Sequence, residues 1–175
     1  MLMYILLALA AAIVVVLVLA MTKPATFSVV RSTTVNASAA KLHAMINDFH
    51  AWGDWSPWEK LDPALNRTFS GAATGKGAIY EWTGNNKVGA GRMEILSEIP
   101  GAKVEIKLDF IRPFEGHNLT TFTITPGANG TAVRWEMTGP NAFIGKVMSV
   151  FMNMDDMIGK DFEKGLANIK QAAEV

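Results

Sequence analysis

The sequence predicts an α+β protein in which a curved antiparallel sheet of about six to seven strands surrounds a long C-terminal helix, preceded by one transmembrane helix. Three observations predict it. Residues 1–21 are all apolar, and the first charged side chain is Lys23. Residues 66–138 alternate between apolar and polar side chains with the period of two that is typical of strands. From residue 141 to 173, apolar side chains recur every three or four positions, as they do on one face of a helix.

The composition excludes several classes of function. The chain has 175 residues, Lys+Arg 16 against Asp+Glu 16, and no cysteine. Because there is no excess of cations to displace counterions from phosphates, nucleic acid is not an expected partner. A chain without cysteine has no disulfide, no Cys-based zinc or iron–sulfur site and no thiol nucleophile.

The apolar N-terminal run has the length of a membrane span. Twenty helical residues rise about 30 Å, which is the thickness of the hydrocarbon core of a bilayer. We therefore predict a transmembrane helix over residues 1–22 and a single-pass membrane protein. A cleaved signal peptide is the alternative, although such peptides begin with basic residues and none precedes this run. Three basic residues on the C-terminal flank favour a cytoplasmic domain only weakly, so the side of the membrane stays open.

Residues 26–173 are predicted to form one domain that begins with a strand and a short helix. The β-branched residues between 27 and 35 favour a strand. Residues 36–38 then offer capping oxygens to a helix over residues 39–48. Three tryptophans between residues 52 and 58 are interrupted by glycine and proline, which predicts an irregular loop packed over one end of the sheet. The alternative is that this loop closes a cavity or contacts the membrane interface, where indoles are favoured.

The central segment is predicted to be a meander of short strands with one apolar and one polar face. Glycine, proline and asparagine between the apolar runs indicate the turns. Glu94, Glu105, Asp109 and Glu136 fall on the polar face, where we expect them to face water. The opposite, apolar face comprises Ala78, Tyr80, Trp82, Met93, Ile95, Val104, Ile106, Leu108, Phe110, Phe122, Ile124, Val133, Trp135 and Met137.

The C-terminal segment, residues 141–173, is predicted to be one continuous amphipathic helix. The apolar face of the sheet is the surface on which its apolar stripe can pack. Gly159 and Gly165 each weaken a helix by about 1 kcal/mol relative to alanine, so they indicate a bend or a close approach. Asp155, Asp156 and Asp161 lie off the stripe and are expected in solvent.

Five short stretches carry a resemblance to known proteins: Trp52-x-x-Trp55-Ser56-Pro57-Trp58, Trp82-x-Gly84-Asn85, Gly89-x-Gly91, Gly130-Thr131-x-Val133-x-Trp135 and Gly159-x-Asp161-Phe162-Glu163-x-Gly165-Leu166. Together with the order of elements, they resemble the SRPBCC superfamily of START, polyketide cyclase and pollen-allergen-like domains. The likeness is to a bacterial subgroup labelled polyketide cyclase/dehydrase. It implies a helix-grip fold with a deep apolar cavity that holds a lipid, sterol, polyketide or other hydrophobic small molecule.

We therefore predict a membrane-anchored domain that binds a hydrophobic small molecule or lipid between the sheet and the C-terminal helix. Methionines suit such a pocket because they are unbranched and polarizable, although they fill a closed core equally well. The predicted ligand-binding residues are Tyr80, Trp82, Met93, Leu108, Phe122, Trp135, Met148, Phe151, Met154 and Ile158.

The sequence contains few residues or motifs that are typical of catalytic sites. The three histidines do not have the spacing of metal ligands, and the glycine-rich loop at residues 71–77 lacks the spacing of a P-loop. We therefore predict no metal and no cofactor, and no residue is assigned a catalytic role by motif. A cyclase- or dehydrase-like enzyme using the same cavity is the alternative, and it requires a carboxylate or histidine that faces the cavity. A third alternative is a cavity filled by core side chains in a domain that acts through protein contacts.

Overall fold

The computed structural model describes the backbone of residues 1–175 and every side chain except that of Met154. An apolar helix, a strand and three short helical segments precede six further strands and two C-terminal helices. In chain order the elements are α1 (Leu2–Met21), β1 (Thr26–Val35), α2 (Ala39–Asn47), a 3₁₀ turn (Phe49–Ala51), α3 (Trp52–Trp55), β2 (Asn66–Gly71), β3 (Ala78–Thr83), β4 (Ala90–Ile99), β5 (Lys103–Arg112), β6 (Gly116–Gly127), β7 (Gly130–Pro140), α4 (Phe143–Phe151) and α5 (Met154–Ala173).

The seven strands form one antiparallel sheet in the order β1-β7-β6-β5-β4-β3-β2. Strands β2 to β7 follow one another as a meander, and β1 pairs with β7 along its whole length. This arrangement confirms the predicted α+β fold and the predicted number of strands.

The inner face of the sheet packs against α5, as the alternation of side chains predicts. Tyr80 lies opposite Met93, which in turn lies opposite Leu108 on β5. On the outer face, charged neighbours pair along the strands: Arg92 Nη1 lies 2.8 Å from Glu94 Oε2. The apolar side chains of α5 enter the core at Phe162, Leu166 and Ile169.

The prediction of one continuous C-terminal helix is wrong, because the helix breaks at Met152 and Asn153. Both residues are extended, and Asn153 Oδ1 accepts a hydrogen bond from the Asp155 backbone N–H at 3.1 Å, which caps a new helix. The apolar residues keep the same spacing across the break, so their pattern does not indicate where the helix ends. As a result α5 lies on the sheet, whereas α4 packs mainly against α1.

Both glycines of α5 lie at close approaches, as predicted. A Cβ at Gly159 would come 1.9 Å from Arg31 Nη2, and one at Gly165 would come 2.7 Å from the indole of Trp135. The Arg31 guanidinium crosses over Gly159 and donates to Asp155 at 3.1 Å and to Glu163 at 2.7 Å. These two carboxylates raise the pKa of Arg31, and the contacts fasten the first turns of α5 to β1.

The tryptophan-rich segment is packed rather than irregular. The prediction of an irregular loop is wrong, because Trp52–Trp55 forms one turn of helix and Pro57 follows its end. Trp52 Nε1 donates to the carbonyl oxygen of Ile46 at 3.0 Å, and Trp55 Nε1 donates to that of Met45 at 3.1 Å. Trp52 and Trp55 are both buried, which agrees with the expectation of packing against the sheet.

Helix α1 joins the domain at one end of the sheet. We call this the tether end: it contains the start of β1, the end of β7, the turn between β5 and β6 (residues 113–115) and α4. Helix α1 is long and apolar enough to cross a membrane. Apart from half-buried Val16 and buried Ala20, its side chains are exposed.

Candidate functional site

A cavity of about 200 Å³ lies between the inner face of the sheet and α5. This volume exceeds the roughly 150 Å³ of an apolar protein cavity that accommodates benzene. Aromatic, methionine and aliphatic side chains make up most of its wall. The lining residues are Trp52, Trp58, Glu59, Leu65, Tyr80, Trp82, Val88, Met93, Leu108, Phe110, Thr120, Trp135, Met137, Ile158, Asp161 and Phe162.

The residues predicted to bind a ligand fall into four groups. Phe122 is enclosed in the packed core by Trp52, Trp55 and Trp135. Met148 and Phe151 line a second cleft near α4. The side chain of Met154 lies outside the described residues. Six line the cavity: Tyr80, Trp82, Met93, Leu108, Trp135 and Ile158.

A buried carboxylate that no pattern in the sequence predicts lies at one side of the cavity. The Glu59 side chain is 8% exposed and accepts hydrogen bonds from Tyr80 Oη at 2.5 Å and from Arg67 Nε at 2.6 Å. Burial and the hydrogen bond to Glu59 raise the pKa of Tyr80, and the hydrogen bond to Glu59 raises the pKa of Arg67. Glu59 belongs to a loop, where no periodicity indicates the direction of a side chain.

Asp161 also lines the cavity, so the expectation that it lies in solvent is wrong. It directly precedes Phe162 on α5, and it follows Ile158 by three positions. Its side chain is half-buried at the cavity wall, beside the apolar stripe of α5. Glu59 and Asp161 therefore place two carboxylates at the wall of an otherwise mainly apolar site.

Two residues that line the cavity, on neighbouring strands, carry buried polar atoms. Thr120 is 4% exposed and Trp135 is 2% exposed, and neither Thr120 Oγ1 nor Trp135 Nε1 has a hydrogen-bond partner among the described residues. Thr120 lies opposite Met137, two positions along β7 from Trp135. The pair supplies one N–H donor and one hydroxyl that both donates and accepts. The alternation places Thr120 on the same face as Phe122, so the sequence contained this signal.

A second, larger cleft of about 960 Å³ lies at the tether end, beneath α4. Its walls come from α4, the start of β1, the end of β7 and the turn between β5 and β6. Phe110, Met137 and Ile158 line both the cleft and the cavity. The two spaces are therefore neighbours separated by a few apolar side chains.

Comparisons with known proteins agree with this architecture. Residues 26–174 match the family described as polyketide cyclase/dehydrase and lipid transport. No curated protein matches the chain.

Several solved structures share the fold. A Chromobacterium violaceum protein is 15% identical with a TM-score of 0.59, and 87% of this chain covers 99% of that one. A Rhizobium leguminosarum protein is 14% identical with a TM-score of 0.62, and the match covers 85% of this chain and 95% of that protein. The di-domain ARO/CYC BexL from the BE-7585A biosynthetic pathway is 14% identical with a TM-score of 0.63; 90% of this chain covers 53% of BexL, about half its length. At these identities the likeness shows the fold alone.

Proposed function

The chain belongs to the polyketide cyclase/dehydrase and lipid transport family, and on this premise we propose that it binds a hydrophobic small molecule or lipid in the cavity while α1 anchors it in a membrane. The cavity is the observation that carries this proposal. Its volume of about 200 Å³ and its largely aromatic and aliphatic wall suit an apolar molecule of more than one ring. Each Å² of apolar ligand surface removed from water contributes about 25 cal/mol, so burial supplies the driving force.

A substitution that narrows the cavity tests ligand binding. Leu108→Phe enlarges a side chain on the cavity wall, whereas Leu119→Phe makes the same change on the outer face of neighbouring β6. We expect Leu108→Phe to lower the uptake of the apolar fluorophore phenylnaphthylamine several-fold, while Leu119→Phe leaves uptake unchanged. Fluorescence titration of the full chain in detergent measures this, with circular dichroism to verify folding. Equal uptake by the two folded variants would place the binding site elsewhere.

The membrane anchor needs a test of its own. Support for it comes from the apolar composition of α1 and from the exposure of nearly all of its side chains. An anchored protein keeps residues 1–21 and stays in the membrane fraction after alkaline carbonate extraction. A signal peptide would instead be cleaved, and the intact mass of the mature chain would lack those residues. A helix buried in a larger assembly would leave the membrane fraction with its residues intact.

A second candidate function is cyclisation or dehydration of a substrate held in the same cavity. The two carboxylates at the cavity wall favour it, because general acid–base catalysis needs a titratable group within reach of the substrate. The Glu59 carboxylate accepts a short hydrogen bond from the Tyr80 hydroxyl, which holds both side chains at the cavity wall. Incubation with a linear poly-β-ketone thioester analogue, followed by mass spectrometry, tests this function. The enzymatic function would be supported if the wild-type chain converts the analogue and the Glu59→Gln variant binds it without converting it. It would be refuted if the wild-type chain leaves the analogue unchanged.

A further inference from the structure

Helix α4 exposes apolar side chains at the tether end instead of burying them. No residue of α4 is buried, and Ile144 and Phe151 are 53% and 70% exposed. Phe114, in the turn between β5 and β6, is also exposed and lines the same cleft as α4. Apolar side chains exposed together at one end of a domain are costly in water and typically indicate contact with a partner or a membrane.

The connection between α1 and the domain brings this surface close to the end of α1. Four residues, 22–25, separate α1 from β1, and a fully extended chain of that length spans about 14 Å. Asn141, just before α4, fastens this connection: its backbone N–H donates to the carbonyl oxygen of Ala25 at 2.8 Å, and its Nδ2 donates to that of Pro24 at 3.2 Å. Pro24 also lines the cleft beneath α4. A membrane that contains α1 therefore lies directly beside the opening of the cleft.

We propose that α4 and the turn between β5 and β6 form a docking surface that seats in the lipid bilayer, and that the cleft beneath α4 is the passage between the bilayer and the cavity. This inference rests on the proposed membrane-anchored binding function. Lys23, Arg112 and Lys146 lie at the same end, together with the exposed carboxylate of Glu115, and the three cations suit the phosphates of lipid headgroups. The apolar side chains of α4 enter the boundary between headgroups and acyl chains, as those of interfacial helices do.

The connections of the chain allow α4 to move together with α1, against which it packs, relative to the core of the domain. The break at Met152 and Asn153 separates α4 from α5, and the Arg31 contacts to Asp155 and Glu163 fasten α5 to β1 on the other side of that break. Displacement of α4 widens the cleft while the core remains packed. The ligand then has to pass only the apolar side chains that the cleft and the cavity share.

Site-specific labelling tests the docking surface. The chain has no cysteine, so one introduced cysteine carries a single environment-sensitive NBD group. Ile144→Cys places it on α4, and the control Ile99→Cys places it at the opposite end of the sheet, on an isoleucine that is 57% exposed. In vesicles of phosphatidylcholine and phosphatidylglycerol, we expect blue-shifted emission and quenching by doxyl lipids at position 144 only. Emission at position 144 that is as water-like and unquenched as at position 99 would overturn the inference.

A matched pair of substitutions tests the passage. We expect Ile144→Asp to slow the transfer of phenylnaphthylamine from vesicles to the full chain several-fold, and Ile99→Asp to leave the rate unchanged. Equal transfer rates for the two variants would refute the passage. The labelling experiment would still decide whether the docking surface contacts the bilayer. If the wild-type chain takes up no phenylnaphthylamine even in detergent, the proposed function fails, whereas quenching at position 144 still decides whether α4 seats in the bilayer.

Discussion

Replacing Thr120 with valine is expected to stabilise the empty protein. The substitution removes Oγ1, which is buried and has no hydrogen-bond partner among the described residues, and it keeps the branched shape of the side chain. An unsatisfied buried polar group costs about 1–3 kcal/mol. A gain of about 1–2 kcal/mol in the free energy of unfolding is therefore expected. For a protein of this size, that gain corresponds to a rise in Tm of about 2–8 °C.

Thermal unfolding of the full chain in detergent, after removal of bound lipid, measures this effect. Thr121→Val is the matched control, because Thr121 is the next residue of β6 and points to the outer face. Its effect is expected to stay within about 0.5 kcal/mol. A Thr120→Val protein that is less stable than the wild type by about 1 kcal/mol or more would show that Oγ1 has a partner in the native state, and would refute the reasoning.

The same substitution has an expected effect on binding. Naphthol and naphthalene differ by one hydroxyl, and only naphthol can form a hydrogen bond with the Thr120 side chain. We expect Thr120→Val to weaken naphthol binding by about 0.5–1.5 kcal/mol, or about two- to tenfold, and to leave naphthalene binding unchanged. Isothermal titration calorimetry measures both affinities. Equal effects on the two ligands would place the hydroxyl of naphthol away from Thr120.

Three further substitutions have expected outcomes. Gly165→Ala should lower stability by about 1–3 kcal/mol in urea unfolding, because its Cβ would press on the ring of Trp135; an unchanged or higher stability would contradict this close packing. Asn153→Ala removes the cap of α5 and should cost about 0.5–2 kcal/mol, and no loss in the same assay would contradict the capping role. The hydrogen bond to the Asp109 carboxylate raises the pKa of His117. This contact therefore stabilises the fold at a pH below the ordinary histidine pKa, and its contribution is lost as the pH rises through the raised pKa. Asp109→Asn should bring the pKa of His117 back towards its ordinary value in an NMR titration, and an unchanged pKa would refute the pairing.

The sheet was predictable from the sequence because its signal is local. Successive side chains of a strand point to opposite faces, so the apolar positions of each strand identify the inner face before any pairing is known. The alternation places Tyr80, Met93 and Leu108 on that face, and the structure aligns them across three strands. Thr120 follows the same alternation, which places it on the inner face, but the alternation does not indicate that its hydroxyl has no hydrogen-bond partner.

The remaining features depend on information that the alternation does not contain. The break before α5 depends on the Asn153 cap, and the apolar spacing is the same on both sides of it. Glu59 reaches the cavity from a loop, where Arg67 and Tyr80 hold it. The volume of the cavity also has no sequence signal, because a methionine such as Met93 lines a space or fills it according to how the surrounding elements pack.

Native mass spectrometry of the wild-type full chain, released from a mild detergent and followed by solvent extraction, tests the central claim most directly. Occupancy of the cavity predicts one defined apolar molecule per chain, and the Leu108→Phe variant should carry less of it. A chain that is folded, that carries no such molecule and that takes up none from a panel of lipids and aromatic polyketides would contradict the claim.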